Sequence, residues 1–217
     1  MTQSAYLELY DLINQLTGLT VDENRQTDVA RAVKATLEAE NLPDIEALLE
    51  ALRRTRVDAD LWRPLIRSVT VGETYFFRNQ AHFGVLRNHV LPGLIQKRRE
   101  SGLLQLRIWS AGCASGEEPY SIAMLLDDLL PDRAQWNITL LGTDINHTGL
   151  ARAREGLYRP ASFRNETPPE VKTRWFTETA DGFQIDPDIQ RRVIFQHLNL
   201  VEDDYPSQDT GTMGMDL

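Results

Sequence analysis

The stretch IWSAGCASGEEPYSIAM, residues 108–124, decides the fold. It reads as the end of a β-strand, a turn of small residues and the start of an apolar helix. Residues 138–143 (ITLLGT) read as a second strand, and a helix is predicted over about 147–155. Strand, turn, helix and strand in this order form a βαβ unit, which builds open parallel sheets. Residues 192–198 (RVIFQHL) are a third strand candidate.

The turn at residues 111–116 is a candidate ligand site. Its glycines, Gly112 and Gly116, let a ligand approach the backbone closely, and open α/β sheets bind ligands at the carboxyl ends of their strands. The G-x-x-x-G spacing differs from the dinucleotide pattern G-x-G-x-x-G, and Glu117 and Glu118 would repel a pyrophosphate. These acids suit a cationic or hydroxyl-bearing ligand. A turn of this kind is as often only a tight connection.

Asp144 ends the second predicted strand, in LLGTDIN. An acid at this strand tip can accept hydrogen bonds from both hydroxyls of a ribose. The alternative is that Asp144 caps the helix that follows. Together with the acidic turn, Asp144 favours an adenosine-containing ligand without a recognised phosphate. S-adenosylmethionine fits, because its sulfonium and amino groups are positively charged.

The first part of the chain shows helical spacing of apolar residues and no strand signal. Three segments carry this pattern: 5–16, 27–39 and 44–56. A further helix is predicted over about 81–99. Pro92 lies inside it, and because proline lacks a backbone N–H we expect a kink or break there.

The composition argues against several classes of protein. A net charge of −9 over 217 residues argues against a dedicated nucleic-acid binder. The single cysteine, Cys113, excludes an internal disulfide and a cysteine-only zinc site, and we expect no metal. No apolar run reaches the roughly 18–20 residues that cross a bilayer, and the N-terminus lacks a signal pattern. We therefore expect a cytoplasmic protein without membrane insertion.

Four strings of the sequence, in their order and spacing, resemble the CheR family of chemotaxis-receptor glutamate methyltransferases: GETYFFRNQAHF (72–83), RIWSAGCASGEEPYSIA (107–123), LLGTDIN (140–146) and ARAREGLY (151–158). The resemblance covers essentially the whole chain, including its helical beginning. It implies methyl transfer from S-adenosylmethionine to a glutamate side chain in the helical cytoplasmic region of a receptor, which gives a methyl ester.

The resemblance also implies an α/β fold in which a small all-helical N-terminal domain precedes a Rossmann-like methyltransferase domain. We expect the helical domain over 1–70, a linker and cofactor-contacting helix over 71–103, and the methyltransferase domain over 104–217. A small antiparallel β-subdomain is expected to be inserted at 158–191. The family continues past Leu217 with a further strand, so we expect this domain to be incomplete and the 217-residue chain to be inactive.

The cofactor contacts that the resemblance implies lie in four parts of the chain: Thr74 and Arg78 in T-x-F-F-R, Ala111 and Glu117 in the turn, Asp144 at the strand tip, and Asn199 and Leu200 after the third strand. Arg78 is the expected catalytic residue, which holds the glutamate or the cofactor carboxylate. Because a glutamate is already ionised at pH 7, positioning and desolvation should dominate the reaction.

The expected partner is the glutamate-rich helical region of a receptor. The basic cluster Arg53, Arg54 and Arg56 could dock such a region, although a solvated helix end is the simpler interpretation of these residues. Two other functions stay open. One is a small-molecule methyltransferase, which would need no T-x-F-F-R element. The other is a non-catalytic receptor-binding or regulatory module.

Overall fold

A computed structural model describes residues 2–165, 167–201 and 205–217. The chain divides into two compact units. The first comprises Met1–Val71, Ile145–Thr148 and His197–Asp203, and the second comprises Gly72–Asp144, Gly149–Gln196 and Asp204–Leu217. Among the described residues, no helix combines the length and the apolar character that crossing a membrane requires.

The first unit is built mainly from four helices: α1 (Thr2–Thr17), α2 (Gln26–Ala39), α3 (Ile45–Arg53) and α4 (Arg63–Val69). Each presents an apolar stripe to one core, as its helical spacing predicts. The fully buried side chains of this core include Leu9, Ile13, Val29, Leu48, Leu52, Trp62 and Leu65. Asp44 begins α3 by accepting a hydrogen bond from the Ala47 N–H at 2.9 Å, which is a standard N-cap.

The helix predicted over 81–99 is present, with an irregular middle. It consists of α5 (Gln80–Val85), a π-helical segment (Leu86–Val90) and α6 (Leu91–Glu100). The Leu91 N–H donates to the Leu86 carbonyl, five residues back. Because Pro92 has no N–H to continue the α-helical ladder, the wider π turn just before it absorbs the interruption. The predicted interruption at Pro92 is therefore a π-helical segment just before the proline.

The second unit contains a parallel sheet. Strands β1 (Gln105–Ala111) and β2 (Asn137–Asp144) pair in parallel, with the helix α7 (Glu117–Leu129) between them in sequence. The helix α8 (His147–Glu155) follows β2, and β6 (Val193–His197) completes the strand order β1-β2-β6. Since Ala111 lies beside Thr143 in the register, the ends of β1 and β2 meet at one edge. The predicted Rossmann-like α/β fold is confirmed.

A small antiparallel sheet follows α8, also as predicted. It consists of β3 (Leu157–Tyr158), β4 (Phe176–Thr179) and β5 (Gly182–Ile185) in the order β3-β5-β4. In sequence, the helix α9 (Pro169–Trp175) lies between β3 and β4, and the helix α10 (Pro187–Gln190) follows β5. The fully buried Phe76 packs against it, with ring centroids 4.8 Å from Tyr158 and 4.9 Å from Phe176. This aromatic contact joins the T-x-F-F-R element to the sheet.

The last described residues run along β1. The Trp109 N–H donates to the Leu217 carbonyl at 2.8 Å, and the Asp216 N–H donates to the Arg107 carbonyl at 2.7 Å. The Asp216 carboxylate also accepts a hydrogen bond from the Arg107 N–H and forms an ion pair with Arg98. These contacts give β1 hydrogen-bond partners in addition to those from β2.

Gly182, at the start of β5, provides a test of the small sheet. Its φ is +146°, and a Cβ there would lie 2.4 Å from the Tyr158 carbonyl oxygen. We expect Gly182→Ala to lower the free energy of unfolding in denaturant by about 1–3 kcal/mol, since both backbone strain and a steric clash are introduced. The matched control is Gly93→Ala in α6, where a Cβ has no neighbour within 4 Å. Equal unfolding midpoints for the two variants would contradict this prediction.

Candidate functional site

The turn after β1 is folded against the tip of β2. The Cys113 N–H donates to the Thr143 carbonyl at 2.9 Å, and the Ala114 N–H donates to the Asp144 carboxylate at 2.8 Å. Ala114 and Gly116 have positive φ angles of 49° and 91°, so the chain reverses direction sharply here. Asp144 is therefore one of the groups that hold the turn in place.

Gly116 is required by packing as well as by its dihedral angle. A Cβ at this position would lie 2.9 Å from the Cβ of Ala153 and 3.0 Å from the Phe195 ring. The glycine thus allows the start of α7 to lie close to α8 and β6. This is a structural reason for Gly116 that does not depend on a ligand.

The alternative interpretation of Asp144, as the cap of α8, is wrong. That role belongs to Asn146, whose side-chain oxygen accepts a hydrogen bond from the Thr148 N–H at 2.9 Å. The half-buried Asp144 carboxylate is directed instead to the turn at Ala114.

Glu117 is a buried carboxylate, with only 2% of its surface exposed. One oxygen accepts a hydrogen bond from the Ser115 hydroxyl at 2.8 Å, and the other accepts one from the Ser162 hydroxyl at 2.9 Å. Burial raises the pKa of Glu117, while these two hydroxyls and the charge of Arg152 act in the opposite direction. A buried acid at a helix start, with a raised pKa and specific hydrogen-bond donors, is a candidate for a functional site.

Glu118 and Arg78 line a groove of about 380 Å³ in the same unit. The Glu118 carboxylate accepts a hydrogen bond from the Ser110 hydroxyl at 2.6 Å. The rest of the lining is mostly apolar and includes Phe83 and Trp109. A groove of this size with a few polar groups can accept a small ligand or a side chain.

The T-x-F-F-R element is attached to α7. The Phe77 N–H donates to the Ser121 hydroxyl at 3.0 Å, and that hydroxyl donates to the Glu117 carbonyl at 2.6 Å. Phe77 has a φ of +57°, a conformation rare for a bulky residue. Arg78 is exposed, and its guanidinium bonds the Glu73 carbonyl and lies 5.9 Å from the Tyr75 ring centroid.

Three of the predicted cofactor contacts meet at the carboxyl edge of β1 and β2: Ala111, Glu117 and Asp144. The element with Thr74 and Arg78 reaches the start of α7 through Phe77, and Thr74 is half-buried. The structure therefore places Ala111, Glu117 and Asp144 together at this edge, with Arg78 on the groove that it shares with Glu118. Their contact with a cofactor stays a prediction.

Asn199 and Leu200 lie in the first unit, just after β6. The Asn199 amide is buried, donates to the Leu16 carbonyl at 2.7 Å and accepts a hydrogen bond from the Val201 N–H at 3.1 Å. Leu200 is exposed. Asn199 therefore has a structural role, and the cofactor role of both residues stays a prediction.

Sequence reasoning missed the two hydroxyls that hold Glu117. Ser115 stands two residues before it, and a serine just before a helix start was a usable signal. Ser162 is 45 residues away in sequence, inside a polar segment without periodicity. No local pattern pointed to Ser162, because the contact depends on how the β-subdomain folds back.

Comparison with known proteins gives the class of this site. Residues 72–213 match the family described as CheR methyltransferase, SAM binding domain. The fold and the acidic turn thus define an S-adenosylmethionine-binding methyltransferase domain.

The relatives extend this match over most of the chain. A chemotaxis protein methyltransferase of Borreliella burgdorferi is 30% identical over 95% of this chain and 73% of its own length. Chemotaxis protein methyltransferase 1 of Pseudomonas aeruginosa is 30% identical over 92% and 73%, and the Escherichia coli chemotaxis protein methyltransferase is 30% identical over 94% and 69%. The chain belongs to the CheR family of chemotaxis protein methyltransferases, and its cofactor is S-adenosylmethionine.

Glu117 should destabilise the cofactor-free protein at neutral pH. Because burial raises its pKa above the value in the unfolded chain, the folded state binds a proton more tightly, and the free energy of unfolding falls as pH rises between the two pKa values. We expect Glu117→Gln, without cofactor, to raise the free energy of unfolding at about pH 8 by roughly 1 kcal/mol. The difference should vanish in acid, where Glu117 is protonated.

The matched control is Glu118→Gln, which neutralises the exposed neighbour on the same helix turn. Thermal and denaturant unfolding at acid and alkaline pH provide the measurement. A Glu117→Gln protein that is less stable than the parent at both pH values would contradict this account of the buried charge.

Proposed function

We propose that this chain transfers the methyl group of S-adenosylmethionine to glutamate side chains of chemotaxis receptors and forms glutamyl methyl esters. The observation that carries the proposal is the buried, doubly hydrogen-bonded Glu117 beside the turn that Asp144 holds. The names of the relatives supply the chemotaxis system, and the receptor as the substrate comes from the family resemblance. The site of action is proposed to be the cytoplasm, where the helical region of such receptors lies.

The residues present suit the parts of this cofactor. The Glu117 carboxylate would bind the positively charged amino group, and the Asp144 carboxylate, at the tip of β2, would accept the ribose hydroxyls. The exposed end of β1 at Ala111 leaves room for a ligand against the backbone. When bound, S-adenosylmethionine supplies an electrophilic methyl group on a sulfonium.

The chain's own contribution is positional. An acceptor carboxylate is ionised at neutral pH, so no general base is required from the protein. Arg78, exposed on the groove that it shares with Glu118, would hold the acceptor carboxylate through charge-assisted hydrogen bonds. The apolar groove wall would keep water away from the reacting groups and so favour ester formation.

Methyl transfer tests the function directly. A form of the protein extended through the further strand of the family should transfer radiolabelled methyl groups to receptor cytoplasmic fragments, and the label should be released as methanol by mild base, as for an ester. Asp144→Ala should weaken the binding of S-adenosylhomocysteine, measured by calorimetry, by about 1.5–3 kcal/mol, because a charged acceptor is lost. Asp181→Ala, which removes an exposed carboxylate from the turn between β4 and β5, is the control. Base-stable label, or equal affinities for both variants, would count against the proposal.

The docking surface is better placed on a groove of the first unit than on the basic cluster at 53–56. Arg53 forms an ion pair with Glu8, Arg54 with Glu50 and Arg56 with Asp58. Each of these positive charges therefore has a carboxylate beside it, which reduces its attraction for an acidic partner.

The groove has a volume of about 570 Å³ and four arginines in its lining: Arg25, Arg31, Arg63 and Arg67. Asp28, paired with Arg31, is the one carboxylate among its lining residues. Within the part of the chain that the structure describes, the side chains of Arg25 and Arg67 form no ion pair. This surplus of positive charge suits a glutamate-rich helix.

Charge reversal distinguishes the arginine groove from the basic cluster at 53–56 as the docking surface. We expect Arg25→Glu combined with Arg67→Glu to lower receptor methylation roughly tenfold at low salt and to flatten its salt dependence, since steering by charge is lost. The matched double variant, Arg53→Glu with Arg54→Glu, changes the net charge equally and should reduce methylation less. Affinity for S-adenosylhomocysteine should be unchanged in both. A larger loss of methylation for the Arg53→Glu, Arg54→Glu variant would indicate that the receptor docks on the basic cluster at 53–56.

A further inference from the structure

Ser162 contacts two parts of the candidate site at once. It lies half-buried at the end of a short 3-10 turn, Pro160–Ser162, between β3 and β4 of the β-subdomain. Its hydroxyl donates to the Glu117 carboxylate at 2.9 Å. Its carbonyl accepts a hydrogen bond from the Phe76 N–H at 2.9 Å, in the middle of the T-x-F-F-R element. One residue thus bridges the start of α7 and the segment that carries Arg78.

The residues around Ser162 hold it in this position. The Thr167 hydroxyl donates to the Phe76 carbonyl at 2.7 Å, so both the N–H and the carbonyl of Phe76 form hydrogen bonds with this segment. The Phe163 ring stacks on Phe76 with centroids 5.2 Å apart. Arg164 forms an ion pair with Glu73 at 2.7 Å and lies over Tyr75 at 4.8 Å. Contacts on both sides keep the Ser162 hydroxyl aimed at Glu117, which is the condition for a positioning role.

The charge balance at Glu117 makes this hydroxyl important. Glu117 is buried, and the nearby cation that lowers its pKa is Arg152 on α8, which is itself exposed. The other titratable groups that interact with it are the phenol of Tyr158 and the thiol of Cys113, whose own pKa values are raised by burial. These two groups are neutral at physiological pH. The ionised form of Glu117 is therefore favoured by the Ser115 hydroxyl, by the backbone N–H of Glu117 itself, by the Ser162 hydroxyl and by the charge of Arg152.

We propose that Ser162 is a positioning residue for cofactor binding, which orients the Glu117 carboxylate and keeps it ionised while fixing the T-x-F-F-R element against it. This inference rests on the proposed function, in which Glu117 binds the amino group of the cofactor. It gives the β-subdomain segment a direct part in the cofactor site.

The proposal predicts a dependence on pH with a definite sign. The cofactor's ammonium group binds the ionised form of Glu117. Without the Ser162 hydroxyl, burial raises the pKa of Glu117 further, so protonation competes with binding at a higher pH. Affinity should then be close to the parent's in mild alkali and much weaker in mild acid.

The probe is S-adenosylhomocysteine, titrated calorimetrically into the whole chain between about pH 5.5 and pH 8.5. We expect Ser162→Ala to move the acid limb of the affinity profile to higher pH and to weaken binding about tenfold at the acid end. Ser162→Thr, which keeps the hydroxyl, should restore most of the parent profile. Ser162→Cys, nearly isosteric with a weaker donor, should lie between Ala and Thr. Thr173→Ala removes an exposed hydroxyl elsewhere in the subdomain and should match the parent.

Three outcomes separate this inference from the proposed function. If Glu117→Gln keeps the parent's affinity, Glu117 does not bind the cofactor and the proposed site is wrong. If Glu117→Gln binds weakly but the Ser162→Ala profile superimposes on the parent's, the role of Ser162 alone is overturned. An equal loss of affinity at every pH for Ser162→Ala, without rescue by Thr, would show that Ser162 only supports the fold. If Ser162→Ala does not fold, the other two variants provide the test: at acid pH, Ser162→Thr should bind S-adenosylhomocysteine more tightly than Ser162→Cys, and equal affinities would overturn the role of Ser162.

Discussion

A carboxylate buried at the start of a helix needs hydrogen-bond donors, and much of the second unit is arranged around this need. Removing a charge from water costs several kcal/mol unless nearby groups replace the lost hydration. At Glu117 the replacement comes in part from Ser115 in the turn after β1 and from Ser162 between β3 and β4 of the β-subdomain. The turn after β1 must fold sharply to bring the Ser115 hydroxyl to Glu117. The chain must also fold back after α8 to bring the Ser162 hydroxyl to the same carboxylate.

Two further contacts follow from the same arrangement. In the sharp turn, the Ala114 N–H donates a hydrogen bond to the Asp144 carboxylate. The return of the chain brings Phe163 and Phe176 onto Phe76, so the apolar core of the β-subdomain forms against the T-x-F-F-R element. Polar contacts at the helix start and aromatic packing behind it therefore support the same local geometry, which is the consistency expected of a site held by rigid elements.

The parts of the fold that the sequence predicts well are those encoded over short distances. The alternation of strand, small-residue turn and apolar helix from β1 to α8 depends on neighbours within a few residues, and the interruption near Pro92 follows from one missing N–H. The contacts that sequence reasoning missed are long-range. Ser162 meets Glu117 across 45 residues, and Arg53 meets Glu8 across the same separation. Since neither pair has a local signature, only the folded chain brings its members together.

The bond between Ser162 and Glu117 also limits how this protein can exchange parts with its relatives. An inserted subdomain is usually treated as a cassette, which recombination or design can replace as long as its ends match. Here the β-subdomain carries one of the two hydroxyl donors of a buried acid that lies outside it. A graft that lacks a hydroxyl at this place would leave Glu117 short of a partner, so the insertion and the start of α7 have to be inherited, or engineered, as a pair.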